Sequence, residues 1–99
     1  MTSGERARTM QVVRVERGVE LRNDDGDRIG YITCTDRGDG VWTIDHTVVD
    51  PAYQGQGLAA KLVDELVAMA RERGVKLLPV CSYAVLRFRR RPDYADVQA

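Results

Sequence analysis

Leu58, Leu62, Leu66 and Ala70 recur at every fourth position, with Ala59, Val63 and Val67 beside them and Asp64, Glu65, Arg71, Glu72 and Arg73 on the other side. An apolar stripe of that period predicts an amphipathic helix over 58–73. Gly74 supplies the left-handed stop. Upstream the pattern is strand-like. Val12, Val13, Val15, Val19 and Leu21 predict extended chain over 11–16 and 19–22, with a bend or bulge at Gly18. Asn23 to Asp27 is a turn cluster in which Asp25-Gly26 is a hairpin signal. The return strand spans 28–35, and Asp36-Arg37-Gly38-Asp39-Gly40 makes the next turn. Val41 to Val49 is the longest strand, rich in β-branched and aromatic residues. Its parity places Trp42, Ile44, His46 and Val48 on one face and Val41, Thr43, Asp45, Thr47 and Val49 on the other. Asp50-Pro51 ends it. Beyond the helix, 75–82 reads as a short buried strand whose Pro79 marks an edge or an opening in the sheet. A short helix over 83–90 stops before Pro92.

Antiparallel strands followed by strand–helix–strand give an α+β (mixed α/β) fold, with one main helix on a curved, mostly antiparallel sheet. A chain of 99 residues makes one domain. It is expected over 11–97, after a flexible tail at 1–10. Fifteen basic residues balance fifteen acidic ones, so no net field gathers nucleic acid or a membrane surface, and any anion site is local. Neither nucleic acid nor membrane is an expected partner. Two cysteines, Cys34 and Cys81, and one histidine are too few for a structural zinc site, and no metal is expected. The first ten residues lack the apolar stretch of a signal peptide. Both thiols are therefore expected to be free, in a cytoplasmic, reducing compartment. Cys34, Trp42 and Tyr31 read as core.

The segment with chemical content runs from Val48 to Leu62, where a strand ends, a glycine-containing loop follows and a helix begins. The first turn of a helix has unpaired N–H groups and a partial positive charge. Small residues at Gly55, Gly57 and Ala59 let a phosphate approach that backbone. The same glycines also suit a plain strand–helix turn. A P-loop needs Gly-Lys-Ser/Thr at the helix start, whereas Leu58 follows Gly57. A dinucleotide fingerprint needs a parallel unit and a distant acidic residue. Here the upstream chain reads as antiparallel hairpins.

Gln54-x-x-Gly57-x-Ala59, after a strand and Asp50-Pro51-Ala52-Tyr53, resembles the acetyl-CoA-binding motif of the GCN5-related N-acetyltransferases. The stretches Gly30 to Ile32, Trp42 to Val49, Leu78 to Tyr83 and Arg91 to Asp96 extend the likeness to the small single-domain branch of that superfamily. The resemblance implies that the backbone of Gln54, Gly55, Gln56, Gly57, Leu58 and Ala59 binds the pyrophosphate of coenzyme A, with Lys61 as a supplementary cation. It implies that the pantetheine arm lies beside Val48 and Val49, between splayed strands, and that Ser82 and Tyr83 join the cofactor-binding set. The thioester would then sit near His46 and Cys81. An acceptor amine is mostly protonated at neutral pH, and only its free base attacks a thioester. A histidine is suited to accept that proton, although a lone histidine on a strand is also compatible with an inert, hydrogen-bonded role. Cys81 has two functional readings, as a transient acetyl carrier or as the acid that protonates departing CoA thiolate. A third reading makes it a small buried hydrophobe. Ser82 follows the cysteine where the family commonly has proline.

The expected function is therefore acetyl-CoA-dependent transfer to an unidentified amine, a small molecule or a protein lysine. The alternative is a CoA- or acyl-CoA-binding module that acts through a protein partner without turnover. Arg87, Arg89, Arg90 and Arg91, beside Phe88, read as a solvated face, with contact to the 3′-phosphate of CoA as second choice and nucleic acid as a third.

Overall fold

The computed structural model describes residues 10–99. The elements are β1 (Gln11–Val15), β2 (Gly18–Arg22), β3 (Arg28–Asp36), β4 (Val41–Val49), a 3₁₀ turn at Pro51–Tyr53, α1 (Leu58–Arg73), β5 (Lys76–Pro79), α2 (Ser82–Arg90) and a 3₁₀ segment at Pro92–Val97. The five strands form one sheet in sequence order. β1 to β4 are antiparallel, and β5 lies parallel to β4. This is the mixed, mostly antiparallel architecture expected from the strand and helix patterns. Of the expected tail, residues 1–9 lie outside the described residues, while Met10 packs partly against the core.

The helix boundaries follow from the apolar stripe. Leu58, Leu62, Val63, Leu66, Val67, Met69 and Ala70 are all buried, and they pack on the sheet from β2 to β5. Gly74, at φ 71°, terminates the helix, its N–H donating to the Ala70 carbonyl. Each Leu removed from water in this layer contributes about 1.5–3 kcal/mol. On the polar side, Arg14 of β1 reaches Glu65 at 2.5 Å and takes both oxygens of Glu72 at 2.7 and 2.9 Å, tying the edge of the sheet to α1.

The chain departs from its hydrophobic pattern in three places. The expected bend at Gly18 is a tight hairpin in which Val15 pairs with Gly18. A Cβ on Gly18 would lie 2.3 Å from the Ile32 carbonyl oxygen, so the close approach of β3 requires glycine there. The last strand is shorter than the expected 75–82, and its pairing with β4 stops at Ile44↔Pro79. The third departure is a bulge in β4. Thr33 pairs with His46 and Cys34 with Ile44, leaving Asp45 as the extra residue. The unbroken parity expected for this strand therefore fails at Asp45. Trp42 and Ile44 face α1 as expected, but beyond the bulge it is Thr47 and Val49 that share their face. His46 and Val48 turn to the opposite side, level with Thr33 and Tyr31. Tyr31, expected in the core, is instead half-buried on that opposite face, with the Arg28 guanidinium 4.4 Å from its ring centre.

Candidate functional site

Beyond Ile44, β4 has β3 on one side and no strand on the other among the described residues. Val80 and Cys81 both direct their N–H groups at the Ile44 carbonyl, each at 3.1 Å. The chain then turns away into α2, which begins at Ser82. The two parallel strands therefore part at Ile44, and the edge of β4 from Asp45 to Val49 is left open.

A cleft of about 350 Å³ occupies the space beside that edge. It is lined by Thr47, Val49, Tyr53, Gln54, Gly55, Gly57, Leu58, Ala59, Ala60 and Tyr83, with no carboxylate among them. The loop at its mouth is ordered from behind. Asp50 Oδ1 accepts from the Ala52 N–H at 2.9 Å, and Gln54 Nε2 donates to the Val49 carbonyl at 3.1 Å. Asn23 Nδ2 donates to the Tyr53 hydroxyl at 3.1 Å. Gly55 and Gly57 hold φ of 83° and 74°, and no atom lies within 4 Å of where either Cβ would be. The loop is therefore open to a ligand.

The donors on this loop are its chemistry. Gln54 spends its N–H on the Pro51 carbonyl at 3.4 Å. The N–H groups of Gly55 through Ala60 have no acceptor among the described residues, and Lys61, whose N–H closes the first turn onto the Gly57 carbonyl, begins the intrahelical ladder. No side chain caps α1, and its first turn contains no acid. The start of α2 is also uncapped, and Tyr83 brings it to the cleft. Two helix N-termini thus present positive partial charge to one apolar-floored cavity, an arrangement suited to an anion with a long neutral arm.

The sequence-expected residues distribute as follows. Val49, Gln54, Gly55, Gly57, Leu58, Ala59 and Tyr83 line the cleft. Gln56, Lys61 and Ser82 are exposed beside it, and Val48 is exposed on the opposite face of β4. Cys81 is half-buried behind the cleft wall, its Sγ 3.3 Å from the Thr47 hydroxyl. His46 is exposed, on the opposite face of β4 from Thr47 and Cys81. Thr47, Tyr53 and Ala60 were not singled out by the sequence. The signal for Thr47 was masked by the bulge, since unbroken alternation assigns it to the wrong face. In the basic run, Arg87 and Arg91 are engaged with Asp64, at 3.3 and 3.5 Å, and Arg91 also pairs with Asp93 at 2.6 Å. Tyr94, buried beneath them, bonds Asp64 as well. These two arginines join α1 to the C-terminal segment, whereas Arg89 and Arg90 are exposed.

Cys34 packs against the core, and burial pushes its thiol up to about 12, with Asp45 and Cys81 adding to the rise. Because its folded value lies above the ordinary 9.0, the neutral thiol stabilises the fold fully below pH about 9, and that contribution is lost as pH rises toward about 12. Thermal melts across pH 8–11 are expected to fall more steeply for the native chain than for Cys34→Ala. Parallel curves would remove the argument.

The sequence model described as GCN5-related N-acetyl-transferase matches residues 18–97. Comparison with curated proteins found no match. Among solved structures, a GCN5-like protein of Staphylococcus aureus is 28% identical with a TM-score of 0.73, over 90% of this chain and 87% of that one. A GNAT family N-acetyltransferase of Escherichia coli, solved in complex with CoA, is 28% identical with a TM-score of 0.62, over 71% of this chain and 42% of that one. N-acetylglutamate synthase of Neisseria gonorrhoeae, complexed with coenzyme A and N-acetyl-glutamate, shares the fold at 17% identity and a TM-score of 0.63. There the match covers 81% of this chain and 22% of that one.

Proposed function

The chain belongs to the GCN5-related N-acetyltransferases, and from that premise we propose that it transfers the acetyl group of acetyl-CoA to a primary amine, with His46 and Cys81 as the working side chains. The observation that carries this reading is the row of unpaired N–H groups from Gly55 to Ala60, opening into a cleft that leads to Thr47 beside Cys81. A diphosphate bound at that row leaves the cleft free for a pantetheine arm running along the unpaired edge of β4, with its thioester end near Cys81.

The acceptor meets it from the other side. His46 and Thr47 are adjacent on one strand and therefore project to opposite faces. An amine approaching on the His46 face reaches the thioester carbonyl through the gap where β4 and β5 part. His46 takes the proton that the acceptor carries at neutral pH, and the free amine then forms the C–N bond. The C–S bond to CoA breaks, and the departing thiolate needs a proton or a successor. Cys81 either gives its thiol proton to that thiolate, or has already exchanged with it as an acetyl thioester. Thioester exchange conserves one acyl–sulfur bond, so both routes balance.

Turnover of acetyl-CoA with alkylamine and lysyl-peptide panels tests the proposal. Acetylated amine and free CoA are expected in equal amounts, with about a hundredfold loss in Cys81→Ala. Intact-mass measurement on quenched samples without amine separates the routes: one added acetyl group, absent in Cys81→Ser, marks the carrier. Tight CoA binding with no transfer to any amine would favour the binding-module alternative instead, and no CoA binding would sink both.

A further inference from the structure

Cys81 stands at the N-cap of α2 with extended backbone (φ −69°, ψ 148°), yet its side chain makes no capping bond. Ser, Thr, Asp or Asn in that position turns its side chain back to the helix N–H groups. Here the sulfur is held elsewhere, 3.3 Å from Thr47 Oγ1, across the opening between β4 and α2. Among the described residues this is the only side-chain hydrogen bond either group makes. Thr47 is β-branched, so its hydroxyl has few rotamers to choose from, and it forms part of the cleft wall. Cys34, the other thiol, lies on the same face of the sheet but has no hydroxyl partner among the described residues.

We propose that Thr47 is a positioning residue for acyl transfer: its hydroxyl, on the cleft wall, holds the Cys81 sulfur against that wall and donates a hydrogen bond to the thiolate that forms there. The proposal rests on the assignment of Cys81 to the reaction and serves either of its roles. When Cys81 gives its proton to departing CoA thiolate, the sulfur left behind is an anion. When Cys81 attacks the thioester, the anion forms first by loss of the thiol proton to solvent, the acyl–S(CoA) bond is exchanged for an acyl–S(Cys81) bond while the departing CoA thiolate takes up a proton in its place, and amine attack later returns the Cys81 thiolate. In both sequences the hydroxyl accepts from S–H in the neutral state and donates O–H to S⁻ in the charged one. No further reactant is needed.

Thr47→Val keeps shape and removes the hydroxyl, and Thr47→Ser restores it. The direct readout is the pH profile of Cys81 alkylation by iodoacetamide, resolved from Cys34 by peptide mass, and it requires no activity. A hydrogen bond to a charged group is strong enough to move that profile up by about one pH unit in Thr47→Val. Thr47→Ser should return it to the native position. The second readout is acetyl transfer in a double-mutant cycle. Thr47→Val should lower kcat about tenfold in the native background and not at all in Cys81→Ala, because Thr47 acts through the sulfur. Superposed alkylation profiles for the native protein and a folded Thr47→Val overturn the proposal, as does an equal kcat loss in both backgrounds. A fully active Cys81→Ala with the alkylation shift intact would instead refute the role given to Cys81, leaving the Thr47–Cys81 coupling in place.

Discussion

Gly57→Asp is expected to weaken CoA binding by about two orders of magnitude while leaving the fold in place. Gly57 is the residue immediately before α1, at φ 74°, with open space where a side chain would go. Aspartate is among the residues that best tolerate this left-handed conformation, so the local cost is on the order of 1 kcal/mol. Nothing has to move to admit the side chain. Its charge, however, falls among the amide donors of Gly55 to Ala60, where the proposed site holds the diphosphate. Two like charges about 4 Å apart at a protein surface repel by roughly 4 kcal/mol, and salt and solvent reduce this to the two to three kcal/mol that a hundredfold loss represents. Gly57→Ala separates the contributions. It carries the backbone strain without the charge and should lose less than tenfold. Calorimetric titration with CoA gives the affinities, and thermal melts report the fold. A folded Gly57→Asp that binds CoA within threefold of the native protein would mean that the diphosphate is held elsewhere.

Much of this site was legible in the sequence because it is built from local rules. A strand stopped by Asp50-Pro51, small residues at 55, 57 and 59, and an apolar stripe starting at Leu58 each act over a few residues. Together they position the loop and helix where the structure has them. What could not be read depends on contacts between distant strands. The bulge at Asp45 leaves no mark in the alternation of 41–49, yet it carries Thr47 into the cleft and His46 out of it. Asp45 is held by hydrogen bonds from Thr43, two residues back on β4, at 2.8 Å and from Thr35 of β3 at 2.5 Å, and only the folded sheet brings Thr35 to it. The same holds for Gly18, which looked like an interruption. Its reason is a carbonyl on β3. It holds again for Arg87 and Arg91, which look like half of a basic patch until Asp64 from α1 is placed against them.

The bulge also sets the second large effect. His46→Ala is expected to lower kcat at pH 7 by a factor of 10² to 10⁴, the range of a removed general base, with CoA affinity unchanged. The second half follows from geometry, since His46 lies across β4 from the cleft and is not among the residues that line it. The deficit should also shrink as the solution becomes alkaline. With an alkylamine acceptor near pKa ~10.4, the free-base fraction grows about tenfold per pH unit below that value. Solution should therefore take over the deprotonation that the proposal gives to the imidazole at neutrality, and the ratio of native to variant rates should fall steadily between pH 7 and 9. A merely structural role for His46 gives a ratio independent of pH. Two results would remove the histidine from the mechanism: a variant with at least a third of native activity at pH 7, or one whose CoA affinity falls in step with its rate.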